Sequence, residues 1–166
     1  MKITANFDDF ELAGNGEKWE NIPKPHQDNL IHIAKNILQP ARDILKEPIH
    51  ISSGYRSQSH NKAVGGASQS QHCFGKALDI YVSNMTGLEL FEFFMKNFGY
   101  KIGGIGLYSN ENLKSKFIHI DIRNKQTKNS IISWYYNSAS KYISPTPYMK
   151  ELAKKYGYTL LGYKYD

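Results

Sequence analysis

From Asp28 onward, apolar residues recur at three- and four-residue spacing. Leu30, Ile33, Ala34, Ile37, Leu38, Ala41, Ile44 and Leu45 draw one stripe along an amphipathic helix. Pro40 lies inside that stripe. It lacks an amide proton and crowds the carbonyl one turn back, so the helix is expected to kink or divide there. Pro48 marks the exit, and residues 49–53 alternate as a strand closed by Gly54. Ahead of the helix, residues 1–26 are mixed and turn-rich, with a short helix or strand near residues 7–12. Residues 56–71, RSQSHNKAVGGASQSQ, carry no apolar period and predict a long loop with room for one helical turn.

Residues 77–82 then read as an apolar strand. Thr86 and Glu89 form a capping-box pattern, and Leu88, Phe91, Phe94, Met95 and Phe98 supply one face of the helix that follows. Residues 100–108 alternate Ile and Gly as a strand or hairpin arm, and residues 117–122 form a further strand after a polar loop. Beyond Asn124 the composition changes: eight of the twelve tyrosines lie in residues 134–166. There Ser144-Pro-Thr-Pro147 turns into a short helix with Tyr148, Leu152, Ala153 and Tyr156 on one side.

At 166 residues and 40% apolar composition, one domain with a real core is expected over residues 1–166. Residues 124–166 read as a divergent C-terminal extension packed on that same domain. A single cysteine, Cys73, excludes an intrachain disulfide scaffold and a multi-cysteine zinc finger. The net charge of +6 favours an anionic partner: a nucleic acid, an acidic membrane face or an anionic wall polymer. The opening MKITANFDDFEL carries three acids and no apolar h-region, and no stretch is long and apolar enough for a membrane span. The expectation is a protein cytoplasmic as synthesised, without a standard export signal or membrane span.

Two patterns carry chemistry. In Ser70-Gln-His72-Cys-Phe-Gly75-Lys-Ala77-Leu-Asp79, seven residues separate a histidine from an aspartate, enough to bridge a turn and a strand. Their side chains can then converge on one point, which small neighbours let the backbone approach. In Phe117-Ile-His119-Ile-Asp121-Ile-Arg123, the strand period puts Phe117, His119, Asp121 and Arg123 on one face and three isoleucines on the other. Two imidazoles and a carboxylate suit catalytic zinc, which takes three protein ligands and keeps a fourth position for water. Ordinary hydrogen-bonded polar positions would give the same letters, so spacing alone leaves both readings open.

Residues 70–79 also match S-x-H-x-x-G-x-A-x-D, and Ser53-Gly-Tyr-Arg56-Ser precedes Asn61-Lys-Ala-Val-Gly-Gly-Ala67. Together with residues 117–123 and the leading helix, these segments resemble the zinc D-Ala-D-Ala carboxypeptidases, a family that includes phage L-alanyl-D-glutamate endolysins. The resemblance covers about residues 20–123. It implies an α+β fold, with a small antiparallel sheet carrying the zinc site and helices packed on one side. It implies His72, Asp79 and His119 as ligands of Zn²⁺, and Arg56 as the arginine that steers a substrate carbonyl or carboxylate. A guanidinium suits that task because it forks onto carboxylate oxygens and stays charged. Ser70 and Gln71 would shape the cleft or hold a ligand in orientation.

In one respect the chain departs from the family. Several members place a catalytic carboxylate three residues before the last histidine ligand, where this chain has Lys116. Asp121 is the substitute candidate for proton transfer, about 6–7 Å along the strand from His119, with Glu111 a weaker one. Asp121 could equally orient a ligand or pair with Arg123. Cys73 is expected to be a buried small hydrophobe, and His26, His32, His50 and His60 ordinary polar positions. The glycines of Gly103-Gly-Ile-Gly106 read as a strand bend near the cleft rather than a phosphate cradle, since no G-K-[ST] follows.

The function expected is zinc-dependent cleavage of D-amino-acid-containing peptides of peptidoglycan, by a D-Ala-D-Ala carboxypeptidase or an endolysin-type endopeptidase. The chain is expected to be monomeric, with a peptidoglycan peptide as substrate and no specific nucleic acid. A phage lysin or virion-associated enzyme fits the missing export signal. The competing expectation is a zinc-stabilised wall-binding module that has lost turnover.

Overall fold

The computed structural model describes residues 1–109, 117–137 and 141–163. The fold is α+β with a seven-stranded sheet, and the chain divides into two compact units, Met1–Ile80 and Tyr81–Asp166.

The first unit is mainly helical. Helix α1 (Asp9–Ala13) opens with a capping box between Asp8 and Glu11. Helix α2 (Lys24–Ile33) starts four residues earlier than the apolar stripe suggests, because Pro25 in the first turn has no amide proton to leave unsatisfied. The stripe itself is buried: Leu30, Ile33, Ala34, Ile37, Leu38 and Ala41 are at most 1% exposed. Pro40 divides the helix as its chemistry demands. A π turn (Ala34–Leu38) precedes helix α3 (Gln39–Leu45), and the Gln39 amide donates to Ala34 O, five residues back. Widening the turn relieves the clash between the proline ring and the preceding turn. It also shifts the phase of the residues that follow, and Ile44 is exposed.

Strand β1 (His50–Ser53) and strand β2 (Ala77–Tyr81) lie side by side in the sheet. Between them the expected long loop holds more regular structure than its composition suggests. Helix α4 (Gln58–Ala63) is capped by the Ser57 hydroxyl, and a 3-10 turn (Gln71–Phe74) follows Ser70.

In the second unit, helix α5 (Gly87–Phe98) begins with the predicted capping box: Thr86 accepts from the Glu89 amide, and Glu89 accepts from the Thr86 amide. Gly87, Leu90, Phe91, Phe94, Met95 and Phe98 are its buried residues. The strands are β3 (Gly104–Tyr108), β4 (Phe117–Asp121), β5 (Ser130–Asn137), β6 (Lys141–Ile143) and β7 (Thr159–Gly162). β3 runs antiparallel to β4 but parallel to β5, and β5 pairs antiparallel with β6 and parallel with β7. The sheet is therefore mixed, whereas the family resemblance implied antiparallel pairing.

Helix α6 (Pro147–Lys155) buries Met149, Leu152 and Ala153, and leaves Tyr148 59% exposed. It packs with α5 and β7 within the second unit. Among the described residues no helix is long and apolar enough to cross a membrane.

Candidate metal centre

The first unit supplies His72, Asp79 and Arg56. His72 sits in the 3-10 turn, and Gly75 ends that turn in the left-handed region (φ 64), which swings the chain into β2 and its third residue, Asp79. His72 Nδ1 lies 2.8 Å from Gly54 O. A carbonyl oxygen only accepts, so Nδ1 carries a proton, and in the neutral ring the lone pair is on Nε2. That Nε2 stands 3.2 Å from Asp79 Oδ1, with both side chains buried. Two facing lone pairs at this distance repel unless a cation lies between them. Two donors on one tetrahedral zinc, at its usual bond lengths, stand about 3.3 Å apart. The other carboxylate oxygen of Asp79, Oδ2, faces Arg56 Nη2 at 3.6 Å. Arg56 Nη2 also donates to Ser53 Oγ at 3.2 Å.

The second unit supplies His119, in the middle of β4. Its Nε2 is 2.9 Å from Asp121 Oδ2. Asp121 is 1% exposed and also accepts from Arg123 Nε (2.8 Å), Arg123 Nη2 (2.5 Å) and the Arg123 amide (3.1 Å). Burial pushes this carboxyl upward, but the hydrogen bonds from His119 and Arg123 outweigh it and hold the group well below the usual carboxylate range. An ionised carboxylate accepts and never donates, so the proton of His119 is on Nε2 and its lone pair on Nδ1. A histidine held by a carboxylate through the nitrogen that does not ligate is a common arrangement behind a metal.

Glycines in β3 make this packing feasible. Gly104 is paired with Asp121 and Gly106 with His119 on one side, and with Ile132 and Trp134 on the other. A Cβ on Gly104 would strike the Asp121 carboxylate, and one on Gly106 would strike the Trp134 indole. Without it, the Trp134 and His119 rings meet across β3 at 4.9 Å between centroids. Trp134 Nε1 donates to the Tyr108 hydroxyl at 3.0 Å. The Arg123 guanidinium lies 5.5 Å from the ring centres of both Trp134 and Tyr163. The glycines thus belong to a regular strand, and they give room to the groups that set His119.

His72, Asp79 and His119 are all buried, and together they are a group able to hold a metal ion. Ser70 and Gln71 contribute through their backbones, accepting from the amides of Cys73 and Lys76. Cys73 is 3% exposed, and burial pushes its thiol up, away from the reactive thiolate. Glu111 and Lys116 lie outside the described residues. Asn15, Trp134 and Tyr163 are not among the site residues that the sequence suggests. Trp134 and Tyr163 sit in the tail that matched no motif, and Asn15 reads only as a turn residue.

Two imidazoles and one carboxylate are a donor set that suits zinc. The model of the Peptidase M15 family matches residues 5–121, and the chain belongs to that family. Peptidases of this family are zinc-dependent, so the chain is a metallopeptidase acting on a peptide, with His72, Asp79 and His119 able to hold the metal. The match ends at Asp121, which leaves Arg123, Trp134 and Tyr163 beyond it. No curated protein sequence matches the chain.

Proposed function

We propose that the chain hydrolyses D-amino-acid-containing peptides of bacterial peptidoglycan, either at a terminal D-Ala-D-Ala bond or at an internal peptide bond. The observation that carries this reading is the donor set, His72 Nε2, Asp79 Oδ1 and His119, in a peptidase of the M15 family. When bound there, zinc supplies Lewis acidity toward a peptide carbonyl and lowers the pKa of water.

The chain's own residues do the rest. Gly54 O and Asp121 fix the tautomers of His72 and His119, so that each presents a lone pair. Of the two roles open to Asp121, orienting His119 is the better supported, because both carboxylate oxygens are engaged and the group is buried. Among the described residues, Arg56 makes its guanidinium contacts with Ser53 and Asp79 through Nη2, and its side chain is 19% exposed. Nη1 and Nε are then the donors for a substrate carbonyl or carboxylate. Ser70 and Gln71 hold the turn that carries His72, through their backbone carbonyls. The net charge of +6 draws the enzyme toward an anionic wall polymer.

Metal analysis together with mass spectrometry of digested peptidoglycan tests this reading. About one zinc per chain is expected, with new peptide termini that reveal the scissile bond and that disappear in His119→Ala. Stoichiometric zinc with no cut muropeptide between pH 5 and pH 9 would instead make the chain a zinc-stabilised wall-binding module.

A further inference from the structure

The loop after α1 is built unusually. Gly14, Asn15 and Gly16 all have positive φ (57, 51 and 74), and Asn15 is one of two residues other than glycine in that region among those described. Asparagine tolerates the left-handed region better than most residues, but the conformation still has to be held by something. Here the Asn15 amide is directed at the Ser53–Ser57 turn, donating to Tyr55 O at 2.9 Å and to Ser53 Oγ at 3.2 Å. Ser53 Oγ is the same atom that accepts from Arg56 Nη2 at 3.2 Å.

That segment is also fastened to the end of α1 and to the residues that follow it. The Tyr55 amide donates to Leu12 O at 3.2 Å, and the Ser57 amide donates to Glu17 Oε1 at 3.3 Å. Gly54 lies so close to the end of α1 that a Cβ there would collide with Leu12 O and Ala13 O. A hydrogen-bonded line therefore runs from Asn15 through Ser53 to Arg56, whose Nη2 also faces Asp79 Oδ2.

We infer that Asn15 is a positioning residue for Arg56: its amide fixes Ser53 Oγ, which in turn fixes the guanidinium that grips the substrate. This inference rests on the proposed role of Arg56 in holding substrate. A flexible arginine carries considerable rotamer entropy, and tying Nη2 in advance leaves Nη1 and Nε aimed before substrate arrives. The part Asn15 plays is then felt at Arg56 and not at the metal.

Asn15→Gly separates these roles, because glycine adopts the left-handed backbone freely and only the amide is lost. In the zinc-loaded full chain, the expected results are a lower NMR order parameter at Arg56 Nε and a kcat/KM on muropeptides reduced about tenfold. Zinc affinity should stay within twofold of the wild type. Ser53→Ala should reproduce both losses, and the double variant should be no worse than either single one, since both cut the same line. An Arg56 order parameter unchanged in both variants would overturn the inference, as would single losses that multiply in the double variant. If the wild type cuts no muropeptide, the proposed function fails, while the Arg56 order parameter still decides for or against the clamp.

Discussion

Replacing Asp121 by asparagine tests how His119 is held. The substitution keeps the shape of the side chain and one acceptor oxygen but removes the charge. His119 Nε2 and the Arg123 donors converge on Asp121 at 2.5–3.0 Å, and a single amide oxygen cannot serve them all. The amide NH₂ must then face a donor. Loss of such a partner behind a metal-binding histidine costs about 10–100-fold in metal affinity, or roughly 1.4–2.7 kcal/mol. The measurement is zinc affinity by competition with a chromophoric chelator at neutral pH, with near-UV circular dichroism of Trp134 reporting that the fold is intact. Arg123 keeps its contacts with the Trp134 and Tyr163 rings, so the variant is expected to stay folded. Zinc affinity within twofold of the wild type in a folded variant would refute the orienting role. If turnover were lost at the same time, Asp121 would be assigned to proton transfer instead.

Three further outcomes follow from the packing and the charges. Gly106→Ala places a methyl group against the Trp134 indole (Cζ2 2.8 Å from the ideal Cβ) and should destabilise the fold by about 1–3 kcal/mol, read from urea midpoints. Lys125→Met removes the ammonium that donates to Gly99 O at 2.7 Å and Ile102 O at 3.2 Å beyond the end of α5; the expected loss of about 1–2 kcal/mol is measured the same way. Burial, aided by the nearby Lys76 charge, lowers the His26 pKa from its ordinary 6.5. The unfolded chain therefore takes up that proton first, so metal-free protein should lose stability as pH falls from about 6.5 through the folded value. His26→Phe should show a shallower loss between pH 7.5 and pH 5 by denaturant titration, and an unchanged slope would count against it.

The parts of this molecule legible in its sequence are those written in local periods. The stripe from Leu30 to Ala41 is buried as its spacing requires, and Pro40 interrupts the helix where its missing amide proton predicts. The capping box at Thr86 and the alternation through β4 are local in the same sense. The group able to hold a metal is readable because His72 and Asp79 lie on one short turn-and-strand segment, and because strand alternation presents His119 on a defined face. The tail misled at Tyr148, where a purely local face count favoured the tyrosine and the core took Met149.

What the residue order does not disclose is what stands opposite each residue. Strand spacing puts His119 and Asp121 about 6–7 Å apart along the backbone, yet their side chains meet at 2.9 Å. They lean together because Gly104, across the ladder, has no Cβ to stand in the way, and because Arg123 folds back onto the same carboxylate. Trp134 reaches His119 only because β5 runs parallel to β3 in a register that sets Gly106 between them. Neither the direction of β5 nor its register is encoded within any window of the sequence. Asn15 and Ser53 are 38 residues apart, and only the close approach of the α1 loop to Gly54 makes them neighbours. In each case a glycine that reads as a turn or a bend is the place where a second segment enters. The glycines of a candidate site are therefore the positions from which to look for its missing residues.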